Sequence, residues 1–484
     1  MQIKPILFYN TLSKETETFK SLKEGEVRLY SCGPTVYDRG HIGNMRSYIL
    51  SDIIRRTFEY NGYEVHQVIN ITDVGHLTGD NEGDADTGED RMEKASVSLG
   101  ESAQDIAKKY TTLFFTDIRR LNIDTEKIEF PRATEYINEQ IAMVQTLQDI
   151  GYAYKVSDGV YYDTSMFKNY GKLGGINVDE LEAGARVKVR KEKRNATDFA
   201  LWKFSSPDQH RQQEWESPWG VGFPGWHIEC SAMSRALLGR QIDIHTGGID
   251  HIPVHHNNEI AQSEVVNKKK FVNYWLHNAF INVEGRRMGK SIGNLINLDQ
   301  VIDRGFSPLS YRYWLLTAHY RTPANFTWDA LEGSHAALKK LHRYFVDELN
   351  VTLGTVDSKY KEQFHAFINS DLDTPKAIAL VWELMKDDSV SKKDKRATLL
   401  DFDTVLGLGL NESDESMVKL LHGGGQKLSV SDIPTNVKAI MDEREQAREQ
   451  KDFRKADALR EQLHVHGYEI EDTAVGPRLS KRKE

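Results

Sequence analysis

The segment between Trp226 and Glu259 concentrates side chains that can bind a metal ion. It contains Cys230, one of only two cysteines in the 484-residue chain, and then a run of acids and imidazoles: His245, Asp250, His251, His255, His256 and Glu259. The other cysteine, Cys32, lies far upstream. Thiolates and imidazoles suit Zn²⁺, and a carboxylate can complete a tetrahedral set. Because His255 and Glu259 are four residues apart, a helix places them on one face.

The alternative to a metal site is two buried thiols beside a polar surface helix. Free cysteine is among the most buried residue types, so this alternative needs no ligand at all. Both cysteines, however, lie at the ends of apolar runs that are flanked by glycine, tryptophan and histidine. This context favours the metal site.

The composition is ordinary for a soluble protein, with 39% hydrophobic and 28% charged residues. The length predicts roughly two to four domains. No run approaches the roughly 18–20 apolar residues that span a bilayer, and the N-terminus lacks the apolar core of a signal peptide. With only two cysteines, we expect a cytoplasmic protein that does not enter a membrane. The net charge of −9 argues against indiscriminate nucleic-acid binding but allows RNA recognition by local basic patches.

A strand, a glycine-containing loop and a helix are predicted near the N-terminus. Residues 27–32 have the pattern of a buried strand, and the apolar spacing from about Met45 predicts a helix that ends at Asn61-Gly62. Residues 64–74 predict the next strand. Such a unit favours nucleotide phosphates at the helix N-terminus, although the standard glycine fingerprint is absent.

Two later segments could contact a nucleotide. Residues 241–245 predict a strand, and the TGGID turn after them lies at a strand's carboxyl end, where open α/β sheets bind ligands. The segment RRMGKSIGN at 286–294 places Arg286, Arg287 and Lys290 among glycines. A mobile cationic loop of this type can neutralise phosphates during transfer, and the alternative is a plain basic surface loop.

Residues 132–205 predict an insertion. A helix at about 133–151 leads into a hairpin that turns at 157–159. The basic run 186–194 is either a solvated charged strand or a contact for the acceptor end of an RNA. Before the insertion, the acidic segment 80–90 lacks the spacing of a calcium loop and predicts a solvated loop.

The second half of the chain predicts helices. Core-face spacing from about residue 308 indicates a bundle. Residues 411–432 contain three consecutive glycines and predict a linker. A small terminal unit follows, with a helix at 434–449 and a basic end.

Several motifs resemble those of one enzyme family. HIGN at 41–44 is similar to the HIGH signature of class I aminoacyl-tRNA synthetases, and RMGKS at 287–291 is similar to their KMSKS loop. CGPTVYD, GWHIECSAM, DIHTGGID, HHNNEIAQSE and FRKADALREQL together resemble the cysteinyl-tRNA synthetases. The resemblance covers nearly the whole chain, and several of these motifs are specific to that family.

The resemblance implies an α/β class I fold, in which a Rossmann catalytic core is interrupted by a connective insertion and followed by a helical bundle and an anticodon-binding unit. The implied boundaries are 1–131 for the first half of the core with HIGN, 132–215 for the insertion, 216–285 for the second half with the zinc site, 286–325 for a stem-contact segment with RMGKS, 326–410 for the bundle, 411–432 for the linker and 433–484 for the anticodon-recognition unit.

The resemblance also implies the reaction and its participants. L-cysteine and ATP, with Mg²⁺, give cysteinyl-adenylate and pyrophosphate, and the cysteinyl group then moves to the 2′-hydroxyl of the terminal adenosine of tRNA(Cys). We expect a monomer with no membrane partner.

One Zn²⁺ per chain is implied, held by Cys32, Cys230, His255 and Glu259. A hydrophobic pocket separates near-isosteres by only about 1–3 kcal/mol, which is too little to reject serine. Zinc binds a deprotonated thiol and lowers its pKa, whereas a hydroxyl is a poor ligand. The implied contacts to the bound amino acid are Gly33, Thr72, Trp226 and His245.

For ATP, the resemblance implies catalytic roles for His41, Asn44 and Lys290. The implied ATP-binding residues are Gly43, Gly248, Asp250, Lys290 and Ser291. Catalysis is then positioning plus electrostatics, because the substrate carboxylate itself attacks phosphorus. Three positions depart from the family motifs: Asn44 replaces the second histidine of HIGH, while Arg287 and Gly289 replace lysine and serine of KMSKS.

Three alternatives remain at this point. A related ligase that joins cysteine to an amino-sugar would share the zinc and ATP sites, but would not need the bundle and the unit at 434–484. A non-catalytic RNA-binding paralogue would be favoured by loss of His41, Lys290 or a zinc ligand, and all are present. A structural zinc protein leaves HIGN, RMGKS and TGGID unexplained.

Overall fold

The computed structural model describes most of the chain. The described residues are 5–74, 90–175, 192–205, 211–289, 292–412, 434–450, 452–473 and 476–481. The acidic segment 80–89, most of the basic run 186–194, Lys290, Ser291 and nearly all of the predicted linker lie outside them. Among the described residues, no helix is both long and apolar enough to cross a membrane.

The first part of the chain alternates strands with helices. A helix begins at Ile42, three residues before the predicted start, because His41 and Asn44 form a capping box. The Asn44 amide donates to His41 Nδ1, and Asn44 Oδ1 accepts from the His41 amide. The elements are β1 (Leu7–Asn10), β2 (Glu15–Thr18), β3 (Glu26–Ser31), α1 (Ile42–Tyr60), β4 (Glu64–Ile69), α2 (Arg91–Leu99), α3 (Ala103–Arg120) and β5 (Ile128–Glu129).

The next elements build an antiparallel sheet outside the core. The predicted hairpin is present, with its turn at Ser157-Asp158, and two further strands extend it in the order β6-β7-β8-β9. The elements are α4 (Ile137–Asp149), β6 (Ala153–Val156), β7 (Gly159–Tyr162), β8 (Phe199–Phe204) and β9 (Gly222–Pro224). Trp202 and Tyr162 of this sheet pack against Ile228 and Ala261, so the insertion rests on the helices that follow it.

The chain then returns to the core and completes a parallel sheet. The returning elements are α5 (Trp226–Leu238), β10 (Ile242–Gly248), α6 (His255–Asn267) and β11 (Val272–Asn278). The strand order is β11-β10-β3-β4-β5, and all neighbours are parallel. Strand β10 lies beside β3, with Ile244 opposite Leu29. The two halves of the core therefore meet at the centre of the sheet.

Both faces of this sheet are covered, as parallel sheets require. Successive side chains of β3 point to opposite faces. Leu29 packs in the cluster that contains α1, whereas Tyr30 packs with Met233 of α5 and Ile260 of α6. Cys32, immediately after β3, lies on the same side as Tyr30.

A small mixed sheet and a helical bundle follow. The elements are β12 (Ile281–Val283), β13 (Arg286–Arg287), α7 (Leu298–Asp303), α8 (Pro308–Leu316), β14 (Ala324–Phe326), α9 (Trp328–Arg343), α10 (Ser358–Ile368), α11 (Thr374–Lys386) and α12 (Lys392–Leu406). The mixed sheet has the order β13-β12-β14. The core of the bundle is continuous with that of α1, through residues such as Leu338, Phe364 and Phe402.

The C-terminal unit has its own small core. It consists of α13 (Thr435–Glu449), α14 (Phe453–Val465) and a hairpin of β15 (Tyr468–Thr473) and β16 (Gly476–Lys481). Val437, Leu463 and Ile470 pack together. The helix predicted at 434–449 is confirmed, whereas the hairpin was not predicted. The domain boundaries given above stay predictions.

Candidate active site and metal centre

Four metal-binding side chains from three separate elements converge at the carboxyl end of the sheet. Cys32 follows β3, Cys230 lies in α5, and His255 and Glu259 share one face of α6. Their donor atoms all lie within 4.8 Å of one another, and all four residues are buried. Strands β3 and β10 are neighbours, so residues that are far apart in the sequence reach the same point.

This donor set fits a tetrahedral metal ion. Ligands on zinc, at bonds of about 2.0–2.3 Å, are separated by roughly 3.5 Å. The buried Glu259 Oε1 accepts no well-aligned hydrogen bond from the described residues, and its ion-pair partner His255 Nε2 lies at 3.1 Å. A cation between the two thiols would satisfy that oxygen. Two thiols, an imidazole and a carboxylate are also the donor types that zinc prefers.

A second group of donors overlaps the first. Cys32 and Glu259 also lie within 4.8 Å of His245 and His256. His245 Nε2, however, bonds the other carboxylate oxygen, Oε2 of Glu259, at 2.9 Å. His256 is held through Nδ1 by His277 at 2.8 Å. The first group contains both thiols, and we therefore take it as the metal site, with His245 orienting Glu259.

The protonation states of the donors differ because their surroundings differ. A hydrogen bond with the Cys32 thiol, supported by His255, lowers the pKa of Cys230 to about 6 in spite of burial. Burial raises the pKa of Cys32 well above its usual value. Burial also opposes ionisation of Glu259, but His245 and His255 outweigh it and lower the pKa of Glu259 to about 2. These directions favour a thiolate at Cys230 and a carboxylate at Glu259. Because Glu259 and Cys230 outweigh burial and raise the pKa of His255 to about 10, metal binding releases protons from both Cys32 and His255.

Outer contacts fix the orientation of the imidazoles. His227 Nδ1 lies 3.0 Å from His255 Nδ1, which leaves His255 Nε2 facing Glu259. His277 is in turn bonded to the Thr11 hydroxyl at 2.8 Å. Such second contacts select the tautomer and the ring angle of a ligand histidine.

The residues predicted to contact the amino acid surround the same point. The Trp226 ring lies against the His255 ring, with centroids 4.3 Å apart and the planes tilted by 33°. The Thr72 hydroxyl donates to Glu229 Oε2 at 2.9 Å. Gly33 lies directly against the Asn70 backbone, where a Cβ would be 1.6 Å from the Asn70 carbonyl oxygen. Position 33 therefore tolerates no side chain without a shift of the backbone.

Two buried residues of this pocket were not predicted from the sequence. Asn70 Oδ1 accepts from the Gly33 amide at 2.9 Å, and its Nδ2 donates to the Thr72 hydroxyl at 3.1 Å. Glu229 is fully buried, and burial raises its pKa well above the usual value. Asn70 could have been recognised as a candidate site residue because it lies near the carboxyl end of a predicted strand. Glu229 was signalled by its place next to Cys230 in the WHIEC motif.

The HIGN turn and the RMGKS segment lie against each other. Gly43 is in the first turn of α1, and a Cβ there would lie 3.5 Å from Met288 Cε. The Ile42 amide bonds the Ile296 carbonyl at 2.8 Å, on the far side of the RMGKS segment. His41 accepts through Nδ1 from the Asn44 amide, so the ring proton is on Nε2. Lys290 and Ser291 belong to this segment but lie outside the described residues.

Gly248 and Asp250 lie where β10 ends. Asp250 is exposed, and its Oδ1 lies 2.2 Å from where a Cβ on Gly248 would be. Glycine at 248 therefore makes room for the Asp250 carboxylate. The carboxyl edge of a parallel sheet is the expected place for a nucleotide.

Comparison with known proteins gives matches to two family models, one over the larger N-terminal part of the chain and one over the C-terminal unit. A family model described as tRNA synthetases class I (C) catalytic domain matches residues 18–336, and one described as Cysteinyl-tRNA ligase anticodon binding domain matches residues 430–476. Cysteine–tRNA ligase 1 of Burkholderia lata is 46% identical over 476 residues, covering 98% of this chain and 97% of its own. The cysteine–tRNA ligase of Treponema denticola is 42% identical over 490 residues, covering 96% and 97%.

Solved structures support the fold. Mycobacterium tuberculosis methionyl-tRNA synthetase bound by methionyl-adenylate superposes with a TM-score of 0.52 at 12% identity, covering 82% of this chain and 93% of that chain. The LeuRS–tRNA–LeuAMS complex of Agrobacterium radiobacter K84 gives 0.55 at 11% identity, covering 85% and 87%. The catalytic-domain model and the full-length relatives, with the parallel sheet and the HIGN helix, define a class I aminoacyl-tRNA synthetase.

The full-length relatives go further than the fold. Because the identity extends over nearly the full length of both chains, the chain belongs to the cysteine–tRNA ligase family and has the activity of a cysteine–tRNA ligase. The predicted α/β class I fold and the predicted family are therefore confirmed. The match of the C-terminal unit favours tRNA over an amino-sugar as the acceptor.

Proposed function

We propose that the enzyme joins L-cysteine to tRNA(Cys) in two steps at the site described above. The cysteine carboxylate attacks the α-phosphorus of ATP, pyrophosphate leaves, and the cysteinyl group of the adenylate then passes to the terminal adenosine of the tRNA. The observation that carries this proposal is the convergence of Cys32, Cys230, His255 and Glu259 in one buried pocket.

Those four residues would hold Zn²⁺. When bound, zinc supplies a Lewis acid that prefers the thiolate of cysteine to the hydroxyl of serine. The chain's own residues do the rest of the selection. Trp226 lies against the His255 ring, and Thr72 is held by Glu229. Gly33 allows the backbone beside Cys32 to pack directly against Asn70, and His245 holds Glu259 in place.

The nucleotide lies across the N-terminus of α1 in this proposal. His41 and Asn44, at the start of the helix, stabilise charge that develops on the α-phosphate. Gly43 allows a close backbone approach, while Gly248 and Asp250 bind the ribose and adenosine. Lys290, together with Ser291, stabilises the departing pyrophosphate and its Mg²⁺. The proximity of Gly43 to Met288 supports this arrangement, because it places the two motifs side by side.

The test is cysteine-dependent ATP–pyrophosphate exchange combined with elemental analysis for bound zinc. Cys230→Ala removes one donor and should abolish exchange and bound zinc together. Ser231→Ala, the next residue in α5 and equally buried, is the matched control and should retain both. Exchange stimulated by serine as strongly as by cysteine, or full zinc content in Cys230→Ala, contradicts the proposal. A cytoplasmic location and a monomeric state stay predictions.

A further inference from the structure

Arg46 has an unusual environment for a charged side chain. It lies in the second turn of α1, five residues after His41, and is only 3% exposed. No carboxylate pairs with it within the part of the chain that the structure describes. Its guanidinium instead donates to four backbone carbonyl oxygens. Nη1 bonds Ala279 and Phe280 at 2.9 and 3.0 Å, and Nη2 bonds His319 and Thr322 at 3.1 and 2.7 Å.

These four carbonyls belong to the two segments that begin the small mixed sheet. Ala279 and Phe280 lead directly into β12, and the turn 319–322 leads into β14. The two segments also bond each other, through the Ala279 amide to the Tyr320 carbonyl and the Ala324 amide to the Phe280 carbonyl. One guanidinium therefore fastens the base of both strands to α1.

That sheet carries the RMGKS segment. Strand β13 pairs with β12 and contains Arg287, the first residue of the motif. Beyond the motif, the Ile296 carbonyl bonds the Ile42 amide at the start of α1. Both ends of the segment are thus attached to the helix whose first turn is HIGN. The attachment at Ile42 joins backbone atoms, whereas that through Arg46 uses a side chain.

We propose that Arg46 is a positioning residue for cysteinyl-adenylate formation, which holds the RMGKS-bearing sheet in fixed register with the HIGN helix. This inference rests on the proposed function. The fork of a guanidinium suits the task because it offers donors in two directions from one plane. A lysine at position 46 keeps the charge but presents a single ammonium, which cannot reach both pairs of carbonyls.

The experiment compares Arg46→Lys with Arg55→Lys in the full-length enzyme. Arg55 is an equally buried arginine of α1, but it bonds Asp52 and Glu59 and touches neither motif. Each variant is measured for thermal stability, zinc content, kinetics of cysteine-dependent ATP–pyrophosphate exchange, and hydrogen–deuterium exchange of peptides covering 279–288 and 319–326.

For Arg46→Lys we expect kcat to fall by about tenfold or more, which corresponds to the loss of one or two hydrogen bonds to a charged group. The KM for cysteine and the zinc content should stay at wild-type values, because the metal centre does not contact Arg46. Hydrogen exchange should accelerate in both peptides. Arg55→Lys should lose thermal stability without the fall in kcat and without faster exchange in those peptides.

Any of these kinetic or binding results overturns the inference: wild-type kcat in Arg46→Lys, an equal loss of kcat in Arg55→Lys, or a loss of zinc that accompanies the loss of kcat. The proposed function fails in a different way, through absence of cysteine-dependent exchange in the wild-type enzyme. Unchanged hydrogen exchange of both peptides in Arg46→Lys also overturns the inference, and this measurement does not depend on any activity.

Discussion

Asp52 is the buried anion at the junction between α1 and the helical bundle, and its replacement by asparagine should be strongly destabilising. It is inaccessible to solvent and lies within hydrogen-bond distance of three arginines. Arg55 Nη2 is at 2.5 Å, Arg312 Nη2 at 2.6 Å and Arg56 Nε at 2.8 Å. Arg312 also donates to the Leu406 carbonyl at the end of α12. The charge therefore balances guanidinium groups from two parts of the fold.

Removing one partner of a buried ion pair costs about 3–5 kcal/mol, because the remaining charge is left uncompensated. Arg312 is also fully buried and has no other carboxylate in contact among the described residues, so we expect Asp52→Asn to fall in this range. The assay is urea unfolding followed by circular dichroism and tryptophan fluorescence. Because the chain has several domains, the transition that reports the sheet and bundle is compared between variants.

Glu59→Gln is the matched control. Glu59 also pairs with Arg55, at 3.0 Å, but its side chain is 30% exposed, so its loss should cost less than about 1 kcal/mol. A double variant with Arg312→Met removes the stranded charge and should recover part of the stability. If Asp52→Asn shifted the transition no more than Glu59→Gln, the view of Asp52 as the essential counter-charge would be wrong.

Two further predictions concern acid and the glycine beside Cys32. Burial opposes the ionisation of Asp52, but Arg312, Arg56 and Arg55 outweigh it and lower its pKa to about 2 from 3.8. The ionised Asp52 therefore contributes roughly 2 kcal/mol to the free energy of unfolding above pH 3.8, and this contribution is lost as the pH falls through 2. Unfolding measured as a function of pH should show this loss in the wild type but not in Asp52→Asn. Gly33→Ala should displace Cys32 or Asn70 and lower bound zinc measured by elemental analysis. Gly333→Ala, in the open middle of α9, should leave zinc unchanged and slightly stabilise the helix. Full zinc content in Gly33→Ala would contradict this prediction, because it would show that the backbone at position 33 can shift without disturbing the metal ligands.

The residues of the candidate metal site could be proposed from the sequence, whereas the arrangement of strands that brings them together could not. The segment 226–259 was recognisable as a source of metal ligands, but the choice of Cys32, Cys230, His255 and Glu259 came from the family resemblance. Nothing in the spacing of residues, however, places β3 beside β10. That neighbourhood depends on the order of strands in the sheet, which a periodic pattern does not encode.

The least predictable features were buried polar side chains with distant partners. Arg46 reads in the sequence as an ordinary charged helix residue, since its four acceptors are backbone atoms more than two hundred residues away. The start of α1 was placed too late for a related reason. Histidine is not among the usual N-cap residues, so the capping box of His41 and Asn44 gave no signal. The C-terminal hairpin was missed because its strands mix acidic residues with a proline.

The central position of β3 in the parallel sheet affects how the chain folds during its synthesis. This strand can pair with β4 soon after both leave the ribosome, but its other edge waits for β10, which is made only after the whole insertion. In that interval an edge of unpaired backbone groups is exposed, and such edges template association between chains. Nascent polypeptides released before Ile242 should therefore be prone to aggregate, and a chaperone that shields this edge would benefit the yield of the finished enzyme.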